Sequence, residues 1–276
     1  MRFEIVTIFP DFFAGPLDYG IVRRARNAGL IEIGIHDLRA FTQDRHRTVD
    51  DRPFGGGEGM LLKPDPLFDC VESLGVAPRA ERVSGAAKET VVLLSASGEI
   101  FSQGMAQELA ELERVTFLCG RYEGVDERVT EYLADREVSV GDFVMSGGEL
   151  GAALMLDTIT RLLPGALGNE ASNKTESFSS VKAGAKFDGQ GRLEPNSTAA
   201  ADGLLDYPHY TRPAEFRGIP VPDVLLNGNH EEIRRWRRRR ALAKTLRNRP
   251  DLLEKTALSA EDKALLRELK REAERN

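Results

Sequence analysis

Glycine-rich turns follow three strand-like apolar runs in the first half of the chain, and these turns are the residues best suited to hold a ligand. They are Ser97-Gly98, Gly120–Gly124 and Gly141-Asp142, and Ser146-Gly147-Gly148 comes shortly after the third. Glycine permits close backbone approaches that other residues prevent, and open α/β sheets bind ligands beyond the carboxyl ends of their strands. A single such turn is ordinarily only a tight turn, but three at neighbouring strand ends predict one pocket lined by backbone groups.

The sequence lacks the common fingerprints that would name the ligand. No G-x-G-x-x-G follows the first strand and no G-x-x-x-x-G-K-[ST] occurs, which weakens dinucleotide and NTPase interpretations. The four histidines, at positions 36, 46, 209 and 230, are widely separated and lack metal-ligand spacing with the cysteines. The residues alone therefore predict a pocket for a small ligand, with no metal site and no activated nucleophile.

The elements that must position these turns are apolar runs alternating with helix-like segments, and this alternation predicts an α/β domain with a parallel sheet. The strand-like runs are Phe3–Phe9, Leu30–Leu38, Thr90–Ser95, Val115–Cys119 and Val138–Val140. The helix-like segments that accompany the last three runs are Ser102–Leu112, Gly124–Ala134 and Glu149–Leu163. Because Pro164 stops the last helix, we expect this domain to span residues 1–164.

Composition changes after Pro164. Residues 165–203 are rich in Gly, Ser, Asn and Ala without periodicity, which predicts a flexible linker or lid. Residues 204–276 are predicted to form a smaller, mainly helical domain. Its first helix opens at Asn229, with a capping-box-like Glu232, and ends at Pro250, and its second starts near Ser259.

Positive charge is concentrated in one stretch, although the net charge of the chain is −6. The segment Arg234–Arg249 reads RRWRRRRALAKTLRNR, with nine basic residues in sixteen. That density exceeds what solubility needs and predicts a polyanionic partner such as a nucleic acid. No apolar run is long enough to cross a membrane. With no export signal and only Cys70 and Cys119, we expect a reducing, cytoplasmic location.

Five motifs carry the interpretation further. They are DRHRTVDDRPFGGGEGM (Asp44–Met60), GRYEG (Gly120–Gly124), SVGDFVMSGGE (Ser139–Glu149), PHYTRP (Pro208–Pro213) and GNHEEIRRW (Gly228–Trp236). In this order the motifs resemble the bacterial tRNA (guanine(37)-N1)-methyltransferases. The similarity runs from the first strand to near the C-terminus and is interrupted only in the linker.

The resemblance implies the SPOUT superfamily, in which an α/β domain contains a deep trefoil knot and the protein acts as a homodimer. It implies S-adenosylmethionine as methyl donor. It also implies a tRNA anticodon loop enclosed by the knotted domain of one subunit and the C-terminal domain of the other, so that the active site is shared between subunits. The donor-binding positions it implies are Leu93, Leu94, Ser95, Gly98, Gly120, Arg121, Glu123, Gly124, Val140, Gly141, Asp142, Phe143, Val144, Met145, Gly147 and Gly148.

The chemistry implied by the resemblance needs a base and a cation. Guanine N1 carries a proton that a carboxylate should remove, and a cation near O6 should stabilise the developing negative charge. By similarity the cation is Arg161 and the base is Glu176, which precedes Ser177-Phe178 where the family has an aspartate. Because glutamate is one methylene longer and an insertion at residues 179–201 follows, other carboxylates remain alternative bases: Asp188, Asp202 and Asp206.

Some features depart from the family pattern or stay open. Ala96-Ser97 stands where Pro-Gln is common, Phe143 replaces a tyrosine, and Glu58 adds negative charge to a Gly-rich loop expected to face the target guanine. Trp236 is expected either to pack the basic helix or to stack on a base. The sequence leaves open the role of the insertion, the range of tRNA isoacceptors, and whether a divalent ion such as Mg²⁺ assists. Alternative functions are methylation of another RNA by a SPOUT enzyme and non-catalytic RNA or DNA binding.

Overall fold

The structure is a computed structural model that describes residues 1–168, 176–178 and 203–273. Its strands, in chain order, are β1 Arg2–Thr7, β2 Glu32–Asp37, β3 Asp50–Asp51, β4 Leu61–Leu62, β5 Glu89–Ile100, β6 Arg114–Cys119, β7 Arg136–Ser139, β8 Glu215–Phe216 and β9 Ile219–Pro220. Its α-helices are α1 Gly20–Asn27, α2 Pro64–Ser73, α3 Arg79–Val83, α4 Gln103–Leu109, α5 Glu127–Tyr132, α6 Glu149–Thr160, α7 His230–Asn248, α8 Pro250–Lys255 and α9 Ala260–Ala273.

The chain divides into two compact units, residues 1–168 and 169–276. A parallel sheet with the strand order β2-β1-β6-β5-β7 forms the centre of the first unit. Each of the five predicted apolar runs supplies one of these strands, so the predicted parallel α/β class is confirmed. The predicted division into 1–164, 165–203 and 204–276 stays a prediction.

Two hydrophobic clusters cover opposite faces of the sheet, because successive side chains of a strand point to opposite sides. Phe3 and Ile5 of β1 join the cluster that packs against α1, α4 and α6. Val6, Leu93 and Leu118 join the cluster that packs against α2 and α5. Helices α1 and α2 were not among the predicted elements, and α6 ends at Thr160, three residues before the predicted end.

The irregular segment of β5 between Leu94 and Glu99, here called the loop inside β5, lies unusually close to β7. The register between the two strands shifts between Leu94 and Glu99, so that both residues pair with Val138. Gly98 lies in this irregularity, and a Cβ there would overlap the backbone of Glu137 and Val138. The glycine is therefore needed so that the loop can lie this close to the neighbouring strand.

A buried ionised side chain lies within the sheet. Glu4 of β1 is fully buried, its Oε2 lies 2.6 Å from His36 Nε2 on β2, and its Oε1 contacts the guanidinium of Arg2. Gly34, directly opposite Glu4, leaves the space that the carboxylate occupies. Burial opposes ionisation, but the hydrogen bond from His36 and the charges of His36 and Arg2 outweigh it. The pKa of Glu4 is therefore lower than its ordinary value of 4.5.

The second unit is held together by α7 and α9. Leu242 of α7 packs with Leu265, Leu266 and Leu269 of α9 and with the fully buried Leu204. Asn229 caps α7, as predicted, by accepting hydrogen bonds from the backbone N–H groups of residues 231 and 232.

None of the described helices combines the length and apolarity needed to cross a membrane.

We predict that Glu4→Gln lowers the free energy of unfolding at pH 7 by about 1–3 kcal/mol, since it removes the charge that Arg2 and His36 satisfy. A carboxyl group with a lowered native pKa stabilises the fold above its unfolded pKa, and this stabilisation is lost as the pH falls through the native pKa. Urea unfolding from pH 7 to pH 3 should therefore show a weaker acid-side decline in Glu4→Gln than in the wild type. Exposed Glu32 on β2 is the control: an equal effect of Glu32→Gln would contradict the assignment.

Candidate ligand-binding site

A cavity of about 370 Å³ opens at the carboxyl ends of β6 and β7, beside the loop inside β5. This volume is within the usual range for small-molecule sites, roughly 300–1,000 Å³. The described residues that line it are Leu93–Ser97, Gly120–Val125, Glu127, Thr130, Glu137–Val140, Phe143–Gly148 and Gly151. The Gly120–Gly124 and Ser146–Gly148 turns thus line one cavity together with Ser97, whereas Gly98 and the Gly141-Asp142 turn do not line it.

The Gly120–Gly124 turn has a strained, left-handed backbone. Tyr122 has φ +60° and Gly124 has φ +133°. The turn is fixed from the side by β4, because Leu62 N–H donates to Gly124 O at 3.0 Å and Glu123 N–H donates to Met60 O at 3.1 Å. A positive φ in a residue other than glycine persists only where the surrounding structure holds it, which is typical of functional sites.

The Gly-rich loop at residues 55–59 adjoins this turn. Gly59 has φ +80°, and a Cβ there would overlap the side chain of Glu123. This contact explains why glycine is needed at position 59 and brings the loop to the edge of the cavity. Glu58 is exposed, and nothing in the structure explains its charge.

The turn before α6 packs directly on the end of β6. Gly148 N–H donates to Gly120 O at 2.9 Å, and Arg121 and Gly147 form an antiparallel bridge. A Cβ at Gly148 would lie 2.9 Å from Cys119 Cα and 3.0 Å from Leu94 Cβ. Only glycine allows so close an approach, and its result is a cavity wall made of backbone.

A buried ion pair joins the same two turns. Glu149, 1% exposed, lies at the first position of α6, where the helix dipole favours a carboxylate. Its Oε2 lies 2.8 Å from Arg121 Nη2, and its Oε1 accepts a hydrogen bond from Thr7 Oγ1 at 2.7 Å. Arg121 also donates to Ser146 O at 2.9 Å and lies over the ring of Phe9. The charge of Arg121 is therefore balanced inside the protein.

Three carboxylates, those of Glu123, Glu127 and Glu137, line the cavity. Ser97 Oγ donates to Glu137 Oε1 at 3.0 Å and lies 2.9 Å from Ser95 Oγ. Sequence reasoning missed Glu127, Glu137 and Thr130, because polar residues in a short helix and a short strand give no signal until the strand register is known. Ser97 belongs to a predicted glycine turn and lines the cavity.

Three of the sixteen predicted donor-binding residues do not line the cavity: Gly98, Gly141 and Asp142. Gly98 instead permits the loop inside β5 to lie close to the backbone of β7. Gly141 has φ +156°, and a Cβ there would overlap the ring of Phe143, which does line the cavity. These two glycines shape the loops that carry lining residues.

Both cysteines are buried. Burial, with a smaller contribution from Glu4, raises the pKa of Cys70 to about 12. Burial likewise raises the pKa of Cys119 well above its ordinary value, so both thiols stay protonated. Within residues 1–168, 176–178 and 203–273, no cluster of His, Cys, Asp or Glu has the arrangement of a metal site.

The predicted catalytic residues lie in different units. Arg161 immediately follows α6 in the first unit. Glu176 belongs to the second unit, where Ser177 Oγ accepts a hydrogen bond from Asp206 N–H at 2.9 Å and Phe178 N–H donates to Leu204 O at 3.0 Å. Of the alternative bases, Asp188 and Asp202 lie outside the described residues.

The fold and the cavity define an α/β protein with a cavity at the carboxyl ends of its parallel strands, where proteins of this class bind ligands. Comparison with known proteins agrees with this class of protein and identifies its family. The family model described as tRNA (guanine-1)-methyltransferase TrmD matches residues 1–255. The chain belongs to this family.

Relatives of similar length extend the match over nearly the whole chain. A Koribacter versatilis protein named tRNA (guanine-N(1)-)-methyltransferase is 61% identical over 270 residues, covering 98% of each chain. Proteins of the same name from Dictyoglomus turgidum and Geobacter metallireducens are 47% and 48% identical, and each alignment covers at least 98% of both chains.

We predict that Gly148→Ala lowers the midpoint of thermal unfolding measured without ligand, because its Cβ would press on the backbone of Cys119 and Gly120. Gly151→Ala is the matched control. Gly151 also lines the cavity, but a Cβ there would lie at ordinary contact distance, 3.5 Å, from Leu94 and Val140. Equal midpoints for the two variants would contradict the close-approach interpretation.

Proposed function

We propose that this protein transfers a methyl group from S-adenosylmethionine to N1 of the guanosine at position 37 of tRNA. Family membership supports the reaction class, and one structural observation carries the proposal. This observation is the cavity lined by the Gly120–Gly124 and Ser146–Gly148 turns and by Leu93–Ser97. Direct transfer from a sulfonium needs no covalent enzyme intermediate.

The cavity suits S-adenosylmethionine chemically. Backbone N–H and C=O groups of the turns can pair with adenine, and Leu93, Val140 and Met145 offer apolar surface to the ring. Glu123 can accept hydrogen bonds from ribose hydroxyls. The three lining carboxylates and the internally balanced Arg121 give surroundings that favour a cationic sulfonium.

Methyl transfer to N1 requires removal of the N1 proton. We assign this step to Glu176, and stabilisation of the charge on O6 to Arg161. A well-placed base contributes roughly 10²–10⁴-fold to the rate. The contacts of Ser177 and Phe178 with residues 204–206 support this assignment, because they restrain the backbone on the C-terminal side of Glu176.

We further propose that the protein is a homodimer with the deep trefoil knot characteristic of SPOUT enzymes, in which Arg161 and the Glu176 of the other subunit serve one active site. The close packing of Gly98 against the backbone of β7 is compatible with the knot. Exposed apolar residues on α6 and the preceding loop support a subunit contact: Val144, Leu150 and Leu154.

The basic helix α7 has two kinds of arginine. Arg238 and Arg239 pair with Asp262 and Glu272 of α9, at 2.6 Å each. Arg237 and Arg240 instead lie over the rings of Tyr207 and Trp236. We propose that this second set faces the tRNA phosphates, whereas the first set stabilises the helical unit.

Transfer of a labelled methyl group tests the proposed function. The wild-type protein should label transcripts that carry guanine at position 37 and leave those with adenine there unlabelled. Labelling of ribosomal RNA in preference to tRNA would favour the alternative RNA substrate. Binding of both ligands without transfer would leave a non-catalytic binding protein.

We predict that Glu176→Gln and Arg161→Ala each lower the single-turnover rate at least about 100-fold while donor affinity stays within about threefold. Rapid-quench measurement of methyl transfer gives the rate, and calorimetry gives the affinity. A near-wild-type rate for Glu176→Gln would move the base to another carboxylate: Asp188, Asp202 or Asp206.

Subunit mixing tests the shared site. Heterodimers formed from Glu176→Gln and Arg161→Ala subunits contain one site with both residues intact, so mixing two inactive proteins should restore activity. Random exchange should give about a quarter of the wild-type activity, since half of the dimers are mixed and each has one intact site. Absence of restored activity, with subunit exchange verified by mass spectrometry, would place both residues in the same subunit.

We predict that Arg237→Gln and Arg240→Gln each weaken tRNA binding and reduce the slope of log affinity against log salt concentration by about 1. Arg239→Gln is the control, because its charge is balanced by Glu272. Filter-binding titrations at several salt concentrations give the slopes. An unchanged slope in the first two variants would remove this face from the RNA interface.

A further inference from the structure

His209 is an exposed ring with a fixed orientation. Its Nε2 lies 2.8 Å from Asp206 Oδ2, and its ring centroid lies 4.6 Å from that of Tyr207. Pro208 restricts the backbone between the two rings. Even so, 65% of the His209 side chain is exposed, against 24% for Asp206. A ring held in this way has lost much of its rotamer freedom before any partner binds.

Asp206 is engaged in orienting this ring. Its Oδ1 accepts a hydrogen bond from Tyr207 N–H at 2.8 Å, and its Oδ2 pairs with His209. Its own N–H donates to Ser177 Oγ. With both carboxylate oxygens engaged, Asp206 is better suited to positioning its neighbour than to taking a proton from a substrate.

The His209 ring lies beside the basic face of α7. The guanidinium of Arg237 lies 4.9 Å from the centroid of Tyr207, the ring next to His209. Leu205 N–H donates to Thr245 Oγ1 of α7, which ties the segment to the helix. Burial raises the pKa of Tyr207, so the hydroxyl stays neutral. An exposed planar ring close to an exposed arginine is a combination that binds unpaired nucleotides, through stacking and phosphate attraction.

We propose that an unpaired nucleobase of the RNA substrate stacks on the open face of His209, and that Asp206 acts through His209 as a positioning residue. This inference rests on the proposed function, because it takes the substrate to be an RNA loop. Asp206 also holds Ser177, the neighbour of the proposed base Glu176. The same segment therefore links the proposed stacking residue to the neighbour of Glu176.

The test compares three variants by two measurements on the full-length protein. The measurements are equilibrium binding of an anticodon stem–loop with guanine at position 37, and the single-turnover rate of methyl transfer at saturating protein. His209→Ala should weaken RNA binding by roughly 5- to 50-fold, with the saturating rate within about threefold of wild type. His209→Phe keeps a stacking face and should retain affinity within about threefold. Asp206→Asn should fall between them, because the ring remains but its orientation is less restrained.

Several outcomes would overturn the inference. Unchanged binding in His209→Ala would remove the stacking contact, and an equal loss in His209→Phe would indicate recognition by ring nitrogens instead. A greatly lowered saturating rate in Asp206→Asn with unchanged RNA affinity would make Asp206 the base. If His209→Ala fails to fold, as judged by circular dichroism, the His209→Phe and His209→Gln pair decides the question, since only the former keeps the ring.

Different outcomes test the proposed function and this inference. A wild-type protein that binds the stem–loop without methylating it would defeat the proposed reaction. The binding comparison among the His209 variants would still decide whether the ring contacts RNA.

Discussion

The close approach of two glycine turns is the contact on which the ligand site depends. Gly148 N–H donates to Gly120 O at 2.9 Å, and no side chain larger than hydrogen fits at position 148 without pressing on Cys119. This contact fixes the start of α6 against the end of β6, and it allows the buried Glu149 to reach Arg121. A buried charge on Glu149 would be costly without its partner. The ion pair therefore depends on the backbone contact that brings the two turns together. The cavity is the space that these two turns and the loop inside β5 enclose.

The charges of the molecule are divided between two tasks. Arg121 is the one basic residue among the described residues that line the cavity, and Glu149 balances its charge. The negative charge of the lining carboxylates is therefore not neutralised by a cation in the cavity wall. In the second unit, burial opposes the ionisation of Asp262, but the hydrogen bonds from Arg238 outweigh it and lower the pKa of Asp262. The acidic residues Asp262 and Glu272 of α9 thus neutralise part of the positive charge of α7. The proposed methyl transfer to RNA requires a site that accepts a cationic donor and a surface that accepts a polyanion, and this division of charge supports both assignments.

The sequence predicted the five strands of the central sheet and their parallel arrangement, because β-branched runs act through local conformation and their alternation with helices favours parallel pairing. It placed Gly98 and Gly141 in the ligand pocket, but neither lines the cavity. It did not reveal the pairing of Glu4 with His36 or the engagement of Glu137 with Ser97, since both depend on which strands become neighbours. The basic stretch of α7 predicted a polyanion partner. The nine charges of Arg234–Arg249 could not be sorted into those paired with α9 and those proposed to face RNA until the position of α9 was known, because ion pairs between helices depend on tertiary packing.

Hydrogen exchange of backbone amides, measured by mass spectrometry with and without S-adenosylmethionine, tests the central claim most directly. Backbone groups that pair with a bound ligand exchange more slowly. The account predicts slower exchange in peptides covering residues 93–98, 120–124 and 140–148, with α7 unchanged until tRNA is added. Protection confined to other segments, or none at saturating donor concentration, would contradict the assignment of this cavity as the methyl-donor site.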